Sequence, residues 1–119
     1  MRQGFVCSAR DWTERVDAFV ARFGRLQDTL GDKLLPALLA ALGERPAALI
    51  DRLDHAERLE LIPSSAQWME LRQLRNQMIH EYVEDPQILA DALEAAHDGV
   101  EILVAAQQAM VNEIRRRGW

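Results

Sequence analysis

The sequence predicts an all-α domain, a four-helix up-and-down bundle with an additional short helix, spanning residues 1–119 as one unit. Three observations carry this expectation. Apolar residues recur at three- and four-residue steps along the chain. Short stretches containing Gly or Pro separate the periodic segments. No strand-like alternation, internal repeat or low-complexity tract interrupts them. A chain of 119 residues can bury one sizeable core but not two.

Each element has its own signals. Ser8-Ala9-Arg10-Asp11 reads as a capping-box start. Trp12, Val16, Phe19, Val20, Phe23, Leu26 and Leu30 then draw one apolar stripe, which Gly31-Asp32 is expected to break. A short Leu-rich helix follows through Leu35, Leu38, Leu39 and Leu42, with Pro36 in its first turn. Gly43-Glu44-Arg45-Pro46 stops that helix, and Pro46 suits the first position of a third. The third carries Leu49, Ile50, Leu53 and Ala56 inward and ends near Leu61. After Pro63, Ser64 and Gln67 form a second capping box, and a fourth helix runs from about Ser65 to Val83. Asp85-Pro86 caps a long fifth helix with the stripe Leu89, Leu93, Ala96, Val100, Leu103, Met110 and Ile114, ended by Gly118. The stripes are read as core, because each helix is wet on one side only.

Composition narrows the function classes. Hydrophobic residues make up 49% of the chain, with six Gly and four Pro, which argues against disorder. A formal charge of −5 argues against coating nucleic acid by bulk attraction, while leaving room for a local basic site. Cys7 is the sole cysteine, so the sequence holds neither an intramolecular disulfide nor a multi-cysteine metal site. Residues 1–7 lack the apolar core of a signal peptide, and no apolar run approaches the roughly 20 residues that span a bilayer. The expected location is the cytoplasm.

The fourth helix holds the informative residues. At about 100° per residue, Leu71, Leu74, Met78 and Tyr82 share an arc, with Trp68 and Ile79 at its edge. Arg75 falls inside that arc, where a guanidinium is costly unless it is paired or lines a cleft. Asn76 and His80 lie one turn apart on the neighbouring strip, within mutual reach. A neutral imidazole can take a proton from a hydroxyl near neutral pH. Arginine holds phosphate oxygens through two parallel hydrogen bonds, more firmly as negative charge grows on them. Asn76 can orient either partner. Such a set suits RNA cleavage without a metal, in which a ribose 2′-hydroxyl attacks the adjacent phosphate. A structural alternative stands beside it: Arg75 pairs with a carboxylate of another helix, and His80 complements a helix dipole.

Arg75-Asn76, a three-residue gap and His80 resemble the signature of the HEPN domain (higher eukaryotes and prokaryotes nucleotide-binding). The extension His80-Glu81-Tyr82 resembles the HepT toxins paired with minimal nucleotidyltransferases. It is equally similar to substrate-binding subunits of two-component nucleotidyltransferases, which share the fold. The resemblance implies a homodimer in which two motifs face one cleft, with Arg75 clamping the scissile phosphate and His80 acting as general base or acid. Asn76 takes the polar position after the arginine. Arg72, beside Arg75, is a further RNA contact in that picture. Tyr82 matches the tyrosine that a nucleotidyltransferase partner modifies with AMP to silence the toxin. The homodimer is expected to bring the fourth helix near the two-fold axis, since Met69 and Ile79 beside Arg75 make more apolar surface than one small bundle hides. The net acidity departs from a ribonuclease toxin and puts weight on local charge.

Other residues are read as surface. His55 and His97 lie on polar sides of their helices without a ligand-spaced partner. Asp51, Asp54 and Glu57 look like solvated faces beside arginines. Arg115-Arg116-Arg117 complements the dipole at the end of the last helix. There is no Gly-rich phosphate loop and no metal motif, so the expectation is a chain that uses no metal or cofactor of its own.

Overall fold

The computed structural model describes residues 9–45, 48–80 and 85–119, and every regular element among them is helical. Helix α1 spans Ala9–Asp28. It does not stop at Gly31-Asp32, as the sequence led us to expect. The chain instead passes into a π-helical segment, Thr29–Leu34, and straight on into α2, Leu35–Ala41, with Asp28 and Leu35 both in right-handed helical conformation at the joints. The reason lies far along the chain. A Cβ at Gly31 would stand 3.2 Å from the indole nitrogen of Trp68, so glycine here admits the ring rather than ending the helix. The Gly31 carbonyl accepts a hydrogen bond from Nη1 of Arg52 at 3.2 Å. Single-turn π segments are often found where helices serve a site.

Helix α3 spans Leu49–Arg58. It stops earlier than expected, and Glu60, with φ of 61°, turns the chain away. The Ser8 and Pro46 expectations fall outside the described residues. Helix α4, Ser65–His80, begins as its capping box predicts: the Gln67 amide donates to the Ser64 hydroxyl at 3.2 Å. Glu57 of α3 adds a second cap, accepting from the Ser65 amide at 2.7 Å. Residues 81–84, Tyr82 among them, lie outside the described residues. Helix α5, Pro86–Arg116, starts at Asp85, whose carboxylate accepts from the amides of Gln87 and Ile88. Gly118, with φ of 75°, lies just past its end.

Cross-contacts give the helix directions. Asp28 pairs with Arg75, Gly31 faces Trp68 and Asp32 lies near Arg72, so α1 and the π segment run antiparallel to α4. Gly99 of α5 takes the Leu71 side chain of α4 against its backbone, so α4 and α5 pack closely together. The core between them holds Phe23, Leu30, Leu35, Leu39, Leu53, Trp68, Leu71, Met78, Leu103 and Met110, each at most 3% exposed. Two stripe residues escape it. Trp12 is 57% exposed and Ile50 51%, although both lie on the stripes read as core. Among the described residues, no helix is long and apolar enough to cross a membrane.

Candidate functional site

Arg75 leaves α4 toward α1, and small residues make this path available. A Cβ at Gly24 would lie 3.4 Å from Nε of Arg75 and 3.5 Å from its Cγ, so the stem crosses the helix backbone directly. Its head is shared. Nη2 donates to Oδ2 of Asp28 at 2.9 Å, and Nη1 donates to the amide oxygen of Asn76 at 3.3 Å. Nε is buried without a hydrogen-bond partner among the described residues. The side chain is 29% exposed, so the pair with Asp28 sits at a rim rather than in the interior. The arginine that the periodicity placed on an apolar arc is therefore paired with a carboxylate of another helix, one of the arrangements the sequence left open.

That rim belongs to a cleft of about 680 Å³ between α1 and the C-terminal half of α4. Its apolar wall is Val20, Ala21, Met78 and Ile79. Its polar groups are Asp17, Arg25, Asp28, Lys33 and Arg75, with Thr29 between them. The α1 contribution is one stripe at helical spacing, from Asp17 to Asp28. Three cations against two carboxylates leave the cleft slightly positive in a chain of net charge −5. Clefts of a few hundred Å³ with an apolar wall and a few convergent polar groups are the usual form of small-ligand sites.

His80 and Asn76 occupy a different strip. His80 lies five residues after Arg75, about 140° round the helix, and both His80 and Asn76 are exposed. Asn76 turns its amide oxygen to Arg75; the His80 side chain makes no hydrogen bond to another described residue. Arg75 and Asn76 are thus brought together, while the imidazole stands at the outer edge of the same helix end. Arg72 is drawn elsewhere. It lies 3.8 Å from Asp32, which also has Arg52 at 3.9 Å, and it does not line the cleft. Tyr82 falls outside the described residues.

The surface histidines separate. His97 is exposed, 3.9 Å from its neighbour Asp98. His55 is a correction: it is half-buried, and its Nδ1 pairs with a Glu44 carboxylate oxygen across the α2–α3 connection. Its partner precedes α3 in the chain, beyond the reach of helical spacing rules. No group of three metal-ligating side chains gathers among the described residues.

Sequence reasoning missed Asp28, Arg25 and Lys33. Their signal was present: a charged stripe along one face of the first helix, broken by Gly24 in the middle of a turn where glycine costs stability. It becomes meaningful only when α4 lies against it. No family model, no curated protein and no solved structure matches the chain.

Proposed function

We propose that the Arg75–Asn76–His80 end of α4 is a HEPN-like site that cleaves RNA without a metal, and that the chain is a ribonuclease toxin neutralised by a nucleotidyltransferase partner. The observation that supports this reading most is the Arg75 guanidinium. It is half-exposed on the wall of a cleft, oriented by Asn76, with an exposed imidazole one turn beyond that amide. In this reaction His80 takes the proton of the ribose 2′-hydroxyl. The 2′-oxygen bonds to phosphorus, the bond to the 5′-oxygen breaks, and the leaving oxygen takes a proton from solvent. Arg75 holds the phosphate oxygens while charge builds on them. The products are a 2′,3′-cyclic phosphate and a 5′-hydroxyl.

A second reading, a non-catalytic substrate-binding subunit of a two-component nucleotidyltransferase, rests on a different observation. Arg75 is paired with Asp28, and His80 lies on another strip of the helix, an arrangement that can hold a phosphate without cutting it. Incubating the purified chain with RNA in EDTA and assaying for cyclic phosphate ends separates the two. Cleavage that is lost in Arg75→Ala and His80→Ala supports the first. Absence of cleavage, with normal growth on expression, favours the second, and variants that cut as well as the parent would mean the site is elsewhere.

The toxin reading carries two further expectations. A two-fold homodimer forms with α4 near its axis, using the exposed side chain of Ile79, which is 40% accessible. Ile79→Lys then gives monomer in sedimentation, and a parent chain that is monomeric at micromolar concentration would count against the dimer. Tyr82 receives AMP from the partner, adding bulk and negative charge where RNA phosphate enters. Mass spectrometry after co-expression tests this: an unmodified Tyr82 in a silenced complex would mean inhibition by simple binding.

A further inference from the structure

We infer that the α1–α4 cleft binds one nucleotide unit, with Asp28 acting as an internal competitor for its phosphate. The inference takes from the preceding reading only that Arg75 meets phosphate, and it adds a site on α1 that this reading does not use.

The cleft is divided chemically along its length. Arg25, Lys33 and Arg75 gather where α1 passes into the π segment, and Asp28 lies among them with its carboxylate 2.9 Å from Nη2 of Arg75. Val20, Met78 and Ile79 form the apolar stretch beside them, with Ile79 left 40% exposed. A cationic end next to an apolar wall matches a molecule with a charged head and a flat, weakly polar body. A nucleoside phosphate has that shape, and a cleft of about 680 Å³ is large enough for one such unit.

Asp28 decides how the site works. A carboxylate in contact with a guanidinium occupies the position and the donors that a phosphate oxygen needs. The pair is partly exposed, with Arg75 29% and Asp28 37% accessible, so solvent screens it and exchange is easy. A phosphate displaces the carboxylate by offering its oxygens to Lys33 and Arg25 as well as to Arg75, whereas the Asp28 carboxylate bonds Arg75. The paired state therefore suppresses binding of weak anions and admits one that can contact several cations together.

The test uses the full chain and three probes: inorganic phosphate, adenosine and AMP, titrated at low salt and followed by amide NMR. AMP is expected to move the signals of Gly24, Asp28 and Ile79 and to bind more tightly than phosphate, with adenosine weakest. Asp28→Asn keeps the side-chain shape and removes the competing charge. It should tighten AMP and phosphate by about three- to tenfold and leave adenosine unchanged, while Lys33→Ala weakens both anions. Asp32→Asn, outside the cleft, should leave all three as they were. A 2′-deoxy oligonucleotide, which cannot form a cyclic phosphate, distinguishes sources: tighter binding than AMP at the same residues points to a unit within a strand, weaker binding to a free nucleotide. The inference is overturned if AMP shifts residues outside the cleft, if no probe binds at millimolar concentration, or if Asp28→Asn leaves binding unchanged or weakens it. Should Asp28→Asn fail to fold, the wild-type shift map and the Lys33→Ala titration still decide. A chain that cuts RNA yet shows no AMP shifts in the cleft overturns this inference alone; one that binds AMP as described but cuts nothing refutes the ribonuclease reading alone.

Discussion

Two ends of the same helices are built differently. Around the π segment, Trp68, Leu35, Leu39 and Leu53 are buried to 1% or less, and Arg52 ties α3 to the Gly31 carbonyl. At the other end, Trp12 of α1, Ile79 of α4 and Ile88 of α5 remain 57%, 40% and 37% exposed, and Ile79 lines the far end of the α1–α4 cleft. Both ends carry apolar stripes of the same kind. What differs is that α2 and α3 cover only the first, so the stripes at the second reach beyond their own bundle. An end left uncovered is where a ligand or a second copy can be received without disturbing the core.

The largest expected effect belongs to the open end and concerns rate. If the proposed cleavage is correct, His80→Ala lowers it by about 10²- to 10⁴-fold, the usual cost of losing a proton-transfer group. His80 is exposed, so thermal stability should stay within about 0.5 kcal/mol of the parent. Parallel cleavage and melting assays check both halves; a variant that melts early would put His80 in the scaffold instead.

Tryptophans sharpen the contrast in stability. Trp68→Ala removes a ring that is 1% exposed and leaves a cavity beside Gly31, for an expected loss of about 3–5 kcal/mol. Trp12→Ala, at 57% exposure and with Arg15 over its ring at 6.0 Å, should cost under about 1 kcal/mol. Denaturant melts of the two variants measure the difference directly. Equal losses would show that the open end is covered in solution, and a dependence on protein concentration would identify a second copy as the cover.

Helix positions and caps were legible in the sequence, and the parts that were not share a cause. The Ser64 and Asp85 caps are local patterns, satisfied within three residues, and the structure has both. Gly31-Asp32 reads locally as a stop, because only the distant indole of Trp68 reveals why a helix should continue through it. Periodicity marked Trp12 and Ile50 as inward, since it reports which residues share a face and not whether another helix covers each of them. For Arg75 the demand for a partner was readable from its apolar neighbours. Its identity was not, because Asp28 is brought there by tertiary packing. The same holds for His55 and Glu44.

A buried polar side chain gives a smaller effect of opposite sign. Gln27 is 2% exposed, and neither its amide nitrogen nor its oxygen has a hydrogen-bond partner among the described residues. Unpaired polar groups in an apolar interior cost about 1–3 kcal/mol relative to pairing or removal. Gln27→Met keeps the length and removes the polarity, so it should raise stability by roughly 1 kcal/mol. A loss on melting would mean that water or a partner satisfies the amide in solution, giving this buried position a polar function.

The smallest effect depends on pH and lies at the closed end, on the last turn of α5. The Glu113 carboxylate accepts from Arg116 at 2.7 Å and also from Arg117, and these hydrogen bonds hold its pKa below the ordinary value of 4.5. A carboxyl whose folded pKa is depressed contributes stability above the unfolded value and loses it as pH falls through the folded one. The Glu113 contribution should therefore be complete at pH 6 to 7 and decline below about pH 4.5. Solvent and salt screen this group, so the shift in melting temperature between the parent and Glu113→Gln should be small and shrink further in high salt. Melting both proteins across the acid range checks the sign. A difference that persists undiminished well below pH 4 would mean that Glu113 acts through packing rather than charge. The turn that carries Arg117 against Trp119 at 5.6 Å would then be held by shape alone.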